Sequence, residues 1–429
     1  MLDQIVNRLG PVLAGAAALM AIGATSARAE VTLDVLYTTP GTFNALHQDL
    51  AKRFTEAHPD IKVKFRNPVA SYEEAAQQIL RDQITGRPPD VAFNGINQIS
   101  LFVDRGLGAP LDGFATADGG LAELGYYPTL AELAKYKGKL YGLPFAVSTP
   151  VLYVNADLLA KAGADASALP KTWPELLALG KAVEAKAGSP ATGFYYQWEQ
   201  TGNWLFQSLV TSKGGRILKA DGCSIAFDDA NGMWALKTLE DFGKSGMPNL
   251  ALGQARQSFV AGNIAILADS TSYVAAAERQ IGGRFQFKTV AFPLAVADGR
   301  LPAGGNVAMV FAKDTERQKA AWKYVKFATG PVGQTAMVNL TGYMPGNEIA
   351  VKTPDLLGAF YAKSPNHSTS IQQLPLLTEW ASFPGDNSLK IIEVIKHHTE
   401  SLVTAKRTAE QVMPELVKEV SNLLPKCGG

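Results

Sequence analysis

"VTLDVLYTTPGTFNALHQDLAKRFTEAHPDIKVKFRN" (Val31–Asn67) sets the fold class. Its first nine residues alternate apolar and polar, the period of a half-buried strand. Phe43, Leu46, Leu50 and Phe54 then recur at helical spacing, and the helix must end before Pro59. "IKVKFRN" (Ile61–Asn67) alternates again. "SYEEAAQQILRDQITG" (Ser71–Gly86) opens on a serine able to cap a helix and closes on a glycine, and "PPDVAFNG" (Pro88–Gly95) reads as a short buried strand. Strand, helix, strand, helix, strand is the order of an α/β domain built on a mainly parallel sheet.

Outward from this block, the start of the chain reads as targeting rather than fold. "MLDQIVNRLG" carries Arg8, "PVLAGAAALMAIGA" is an apolar run too short to span a bilayer, and Ala27-Arg28-Ala29 offers small residues at both cleavage-determining positions. A secretory signal peptide over 1–29 follows, with the mature chain starting at Glu30 and exported to the periplasm. The mature length, 429 minus 29 or 400 residues, implies two domains. The formal charge of the whole chain is +1 and the leader holds Asp3, Arg8 and Arg28, so the mature protein is near neutral. Such a balance argues against nonspecific nucleic-acid binding. Cys223 and Cys427 are the two cysteines. Export permits a disulfide between them, and two free thiols remain the alternative.

After Asp112, "KYKGKLYGLPFAVSTPVLYVN" (Lys135–Asn155) reads as a hairpin running into a long strand. A mostly helical stretch extends to about Leu250. "AGNIAILADS" (Ala261–Ser270), "FKTVAFPLA" and "GGNVAMVFA" return to strand character, and the last hundred residues are largely helical. The order suits a chain that visits two domains twice.

Catalytic signatures are missing: there is no G-x-S-x-G, no G-x-x-x-x-G-K-[ST] and no H-E-x-x-H. His397 and His398 point about 100° apart on a helix and read as solvated residues rather than metal ligands. No acid–base pair of carboxylates stands out, so neither a cofactor nor a metal is expected.

"PFAVSTPVLYVNADLLAKAG" (Pro144–Gly163), "PKTWPELLALGKAV" (Pro170–Val183), "FVAGNIAILADSTSYVA" (Phe259–Ala275) and "LTGYMPGNEIAV" (Leu340–Val351) together resemble the extracellular solute-binding proteins of carbohydrate ABC importers. The resemblance covers nearly the whole mature chain and is nearest in pattern to the glycerol-phosphate branch. It implies a two-lobed periplasmic binding protein fold (type II-like), with a ligand cleft between lobes joined by crossover segments. It also implies a monomer without catalysis that delivers its solute to a membrane permease powered by an ATPase. The expected division is 30–147 in the N-terminal lobe, 148–260 in the C-terminal lobe, 261–328 back in the N-terminal lobe and 329–429 as C-terminal-lobe helices and tail.

Site residues follow from the same resemblance. Ser148 would lie where the chain crosses between lobes, held by Thr149-Pro150. Tyr72 and Glu73 match a Tyr-Glu pair at a helix start, Glu73 either accepting from ligand hydroxyls or charging the first helical turn. Trp173 matches an apolar cleft wall. Ser270, Thr271 and Ser272 match a hydroxyl-rich loop, and Tyr343 a tyrosine that reaches the ligand. Gly304 and Gly305 match a turn whose backbone N–H groups can cradle an anion. The pattern departs in one place. Ile392 stands where the branch carries a phosphate-gripping arginine, and Lys390 or Lys396 would replace it only without the bidentate fork. Glycerol 3-phosphate, a glycerophosphodiester and a neutral sugar or polyol are all open as ligands. Trp198, Trp204 and Trp380 either stack on a larger ligand or fill the core. A secreted hydrolase of sugars or phosphodiesters is the rival of another class.

Overall fold

The structure, a computed structural model, describes residues 30–199, 201 and 203–427. The leader therefore lies outside the described residues. The opening block folds as its periodicity requires. Strand β1 (Val31–Leu36) pairs in parallel with β2 (Ile61–Phe65) and with β3 (Val91–Gly95). Between them run helix α1 (Pro40–Ala57), which buries Phe43, Leu46, Leu50 and Phe54, and helix α2 (Tyr72–Ile84). Ser71 caps α2 by accepting a hydrogen bond from the Glu74 amide at 3.1 Å.

The long strand expected across Ser148 is in fact two. Strand β4 (Gly142–Ser148) closes the first sheet, and β5 (Pro150–Asn155) opens the second, with Thr149 alone between them. The second sheet adds β6 (Thr192–Tyr196), β7 (Ile264–Ser270) and β8 (Phe287–Ala291), in the order β8-β5-β7-β6. The chain then returns to the first sheet as β9 (Gly304–Val310), which runs antiparallel to both β3 and β4 and gives the order β2-β1-β3-β9-β4. Each sheet is buried by helices into a core of its own.

These pairings correct the expected division of the chain. Residues 261–302 do not return to the first lobe, because β7 and β8 both pair with β5. Strand character was legible there, but the choice of sheet depends on a partner more than a hundred residues away. Nor does the chain go back to the second lobe at 329. Helices α3 (Thr315–Thr329) and α4 (Pro331–Thr341) bury Ala321, Val325, Met337 and Val338 in the first lobe's core. The tail helices α5 (Ser388–Val403) and α6 (Ala409–Leu423) do join the second lobe. His397 is exposed, whereas His398 is buried with its Nε2 3.5 Å from Glu419, which corrects the reading of both as solvated.

The crossovers are tightly tied. The Thr149 amide donates to Thr271 Oγ1 at 3.0 Å and the Thr271 amide to the Thr149 carbonyl at 2.9 Å. Gln373 Nε2 donates to Thr149 Oγ1 at 2.7 Å and to the Pro150 carbonyl at 3.0 Å. At the second crossing Leu301–Pro302 pairs with Leu377–Thr378. Cys223 and Cys427 form a disulfide that ties the C-terminal tail to the second lobe.

Candidate functional site

The start of α2 meets the second lobe. Tyr72 packs in the apolar cluster of that lobe although it belongs to the first. Its hydroxyl accepts from Asn306 Nδ2 at 3.3 Å. Hydrogen bonding also links Tyr343 to Tyr72 and to Ser272, so Tyr72, Ser272 and Tyr343 meet at the interface of the lobes. Burial raises the Tyr343 hydroxyl above the ordinary tyrosine value. Glu73 feels the charges of Glu393 and Lys396 of α5. Burial raises its carboxyl above the usual value, and hydrogen bonding to its own amide and to the Ser71 side chain only partly offsets this.

A second group of residues gathers at the crossovers. A Cβ placed on Gly304 would stand 2.7 Å from Ser148 Oγ and 2.7 Å from the Trp204 ring, so these three are in contact. The Trp204 indole donates to the Pro302 carbonyl at 3.0 Å, and its ring centroid is 6.4 Å from that of Trp380. Trp380 in turn donates to Asn203 Oδ1 at 3.3 Å.

Three expectations change. Gly304 and Gly305 do not form an open turn that cradles an anion; they are paired strand residues, opposite Ser148 and Val147. Glycine is needed there for space. Gly305 has φ +105°, and a Cβ on it would fall 1.9 Å from the Ala146 carbonyl oxygen. Trp173 is no cleft wall. It is 3% exposed inside the second lobe, with its ring against Phe194, Tyr196, Phe242 and Phe292. The hydroxyl loop divides its labour: Ser270 accepts from the Ser272 amide, Thr271 holds the crossover, and Ser272 alone lines an open cavity. Ile392 is buried in the same apolar cluster as Tyr72, Lys390 is exposed, and Lys396 lies 3.8 Å from Glu393.

The clearest mark of a ligand site is polar and unpaired. Among the described residues Glu73 Oε1, both amide atoms of Asn94 and of Gln98, Asn97 Oδ1, Asn306 Oδ1 and Asn203 Nδ2 are buried without a hydrogen-bond partner. The Trp198 indole N–H is a further case. Native proteins pair about nine in ten or more such groups, so a concentration of them asks for a missing partner. Their placement is shared. Asn94, Asn97 and Gln98 sit at or just beyond the C-terminal end of β3, Gly95 pairs with Asn306, and a Cβ on Gly95 would lie 2.7 Å from Asn97 Oδ1 and 3.1 Å from Tyr72. Asn203 joins through Trp380. The sequence reading missed Asn94, Asn97, Gln98, Asn203 and Asn306. Buried amides are uncommon, and "FNGINQ" at the end of a short apolar strand was the available signal.

Cavities open on either side of this contact. One, about 640 Å³, is lined by Thr42 of the first lobe and by Arg256, Ser272 and Tyr343. The other, about 320 Å³, lies between Ile96 and Ser100 of the first lobe and Arg216 and Trp380 of the second. At its rim Ser100 Oγ donates to Ser382 Oγ at 2.9 Å, and Arg105 meets Asp386 at 2.5 Å. These contacts join the two lobes at the rim.

A model of the bacterial extracellular solute-binding proteins matches residues 49–369. The chain belongs to that family. This binding protein is 23% identical over 457 residues to the sn-glycerol-3-phosphate-binding periplasmic protein UgpB of Agrobacterium fabrum, covering 99% of each chain. It is 24% identical over 421 residues to the protein of the same name from Escherichia coli, covering 93% and 94%. Among solved structures, UgpB from Mycobacterium tuberculosis in complex with glycerophosphocholine superposes with a TM-score of 0.80 at 22% identity, over 91% of this chain and 98% of that one. The GacH receptor of Streptomyces glaucescens, solved unliganded and with acarbose, gives 0.77 at 20% identity, over 92% and 98%. The expected fold, two α/β lobes around a cleft, agrees with both structures. The protein binds a solute rather than catalysing a reaction, which removes the hydrolase alternative. Among the described residues no helix is long and apolar enough to cross a membrane.

Proposed function

We propose that this protein is the periplasmic capture component of an ABC importer, which closes two lobes around a small hydroxyl-bearing solute and presents the closed form, as a monomer, to a membrane permease with its ATPase. Glycerol 3-phosphate, a glycerophosphodiester and a sugar are the candidate solutes, in keeping with what the named relatives bind. One observation carries the reading: buried, unpaired polar atoms of Asn94, Gln98, Asn306 and Glu73 gather on the elements that flank Tyr72, which packs against the second lobe. Tyr72, Ser148, Trp204, Ser272 and Tyr343 complete the site. Contacts made only when the lobes close convert binding energy into closure.

A thermal-shift screen of residues 30–429 against these three classes tests it. Ligand at about a hundred times its dissociation constant adds about 2.7 kcal/mol of stability. Failure of every class to raise the melting temperature at millimolar concentration would sink the reading.

A further inference from the structure

We infer that the Cys223–Cys427 disulfide is a positioning device for the solute cleft: through the C-terminal tail it locks together the two second-lobe segments that wall the inter-lobe cavity of about 320 Å³. This rests on the solute-capture reading above.

One wall is a hairpin, residues 217–226, which brings Leu218, Lys219, Ala220 and Gly222 to the cavity, with Arg216 just before it. Its base is anchored, because Ile217 and Ile225 are buried in the second lobe's core. Its tip is exposed from Lys219 to Gly222. The Lys219 amide donates to the Ser224 carbonyl at 2.8 Å, the Ala226 amide to the Ile217 carbonyl at 2.9 Å, and Asp221 Oδ1 accepts from the Cys223 and Ser224 amides. These bonds are internal to the hairpin and do not fix where its tip stands, and two strands alone hold only marginally in water. The other wall is the segment 379–384. It runs on into the rim, where Ser382 and Asp386 meet Ser100 and Arg105 of the first lobe.

The tail touches both walls. At the end of α6 the Leu423 carbonyl accepts from Asn387 Nδ2 at 3.0 Å, and Pro425 lies against Gly385, where a Cβ would stand 3.2 Å from its ring. Cys427 is then bonded to Cys223 just past the hairpin tip, with Ser224 Oγ 3.4 Å from its sulfur. Residues 425–427 are exposed, and a chain end of that kind frays unless it is tied. The disulfide is the tie, and it joins the hairpin to the rim rather than bracing either alone. Arg216 and Lys219 on one side and Ser382 and Asp386 on the other therefore stand as one unit when a solute arrives. A wall already in place spares the solute the entropy of ordering it, which a loose wall would take out of the affinity.

Hydrogen exchange of the full mature chain, before and after dithiothreitol, tests the strap without a solute. The two thiols of dithiothreitol close into a disulfide as the Cys223–Cys427 bond opens, and each cysteine is left as a thiol. The amides of Lys219, Gly222 and Ala226 should exchange about tenfold faster in the reduced chain, while those of β1 and β3 in the first lobe keep their rates. Cys223→Ser with Cys427→Ser should show the same pattern and ignore the reductant, and re-oxidation of the wild type should reverse it. Unchanged hairpin rates, or acceleration spread evenly over the second lobe, overturn the strap, since a bond that only stabilises the fold does the latter. Calorimetric titration with sn-glycerol 3-phosphate, glycerophosphocholine and maltose then reads the cleft. Whichever of them binds the oxidised chain should bind the reduced chain about five- to tenfold more weakly. Equal affinities overturn the positioning role and leave solute capture standing. Silence from all three toward the oxidised chain refutes solute capture, and the positioning role with it.

Discussion

His47 makes the first lobe sensitive to acid by a calculable amount. It lies on the buried face of α1, fully enclosed, with ring centroids of Tyr37, Phe93 and Phe145 at 4.2, 4.5 and 5.5 Å and neither ring nitrogen paired. Burial lowers its pKa to about 3 from an ordinary value near 6.5. A base whose folded pKa is depressed contributes stability above its unfolded pKa, and that stability drains away as pH falls toward the folded value. Here the window runs from about pH 6.5 to about pH 3. Between pH 7 and pH 5 the unfolded imidazole gains its proton and the folded one does not, which costs about 2 kcal/mol whatever the folded value is below about 4. His47→Leu removes the titration along with two unpaired nitrogens and nearly keeps the volume. Urea unfolding of both proteins at pH 7 and pH 5 isolates the effect, since every other group titrates alike in each. The wild type should lose about 2 kcal/mol more than the variant over that interval. Equal losses would mean that His47 takes up its proton in the fold, and the account of a sealed aromatic pocket would be wrong.

Three other perturbations have distinct readouts. Gly304→Ala drives a methyl against Ser148 and Trp204 and should cost about 1–3 kcal/mol by overpacking while weakening solute binding at least tenfold; Gly305→Ala, with its positive φ and a carbonyl in the way, should cost more in urea unfolding than Gly304→Ala does. Reducing the Cys223–Cys427 disulfide should lower the unfolding free energy by about 2–5 kcal/mol, and an unchanged melting temperature under reductant would show that α6 holds the tail unaided. Arg105→Ala together with Ser100→Ala removes contacts that exist only with the lobes together; it should leave the melting temperature of the unliganded chain nearly unchanged and weaken ligand binding up to about fivefold, and tighter binding would show that the rim holds the lobes apart.

The readings that held and the readings that failed separate along a physical line. Strand alternation in Val31–Leu36, the helical spacing of Phe43, Leu46, Leu50 and Phe54, and the cap at Ser71 are local, and each was legible from a few neighbouring residues. The sheet that Ile264–Ser270 joins is decided by Pro150–Val154, and nothing within the strand names that partner. The tryptophans show the same limit at the site. Trp173 and Trp204 each begin a helix and each is nearly buried, and a tryptophan was expected in the cleft. Four aromatic rings of one lobe enclose the first, whereas the second lies against Gly304 and Ser148, where the two sheets exchange the chain. Only glycine at 304 leaves room for that ring, so the glycine read as an anion cradle was a packing signal for a tryptophan a hundred residues earlier. The cleft is assembled in this way throughout. Tyr72 and Asn306 share a hydrogen bond across a sequence separation of 234, and Asn306 is next to Gly95 only because β9 runs against β3. An amide in an apolar strand looks like a defect when its neighbours along the chain are the only witnesses. Its purpose becomes visible when the pairing of distant strands gathers several such amides, each buried and each with at least one polar atom still lacking a partner.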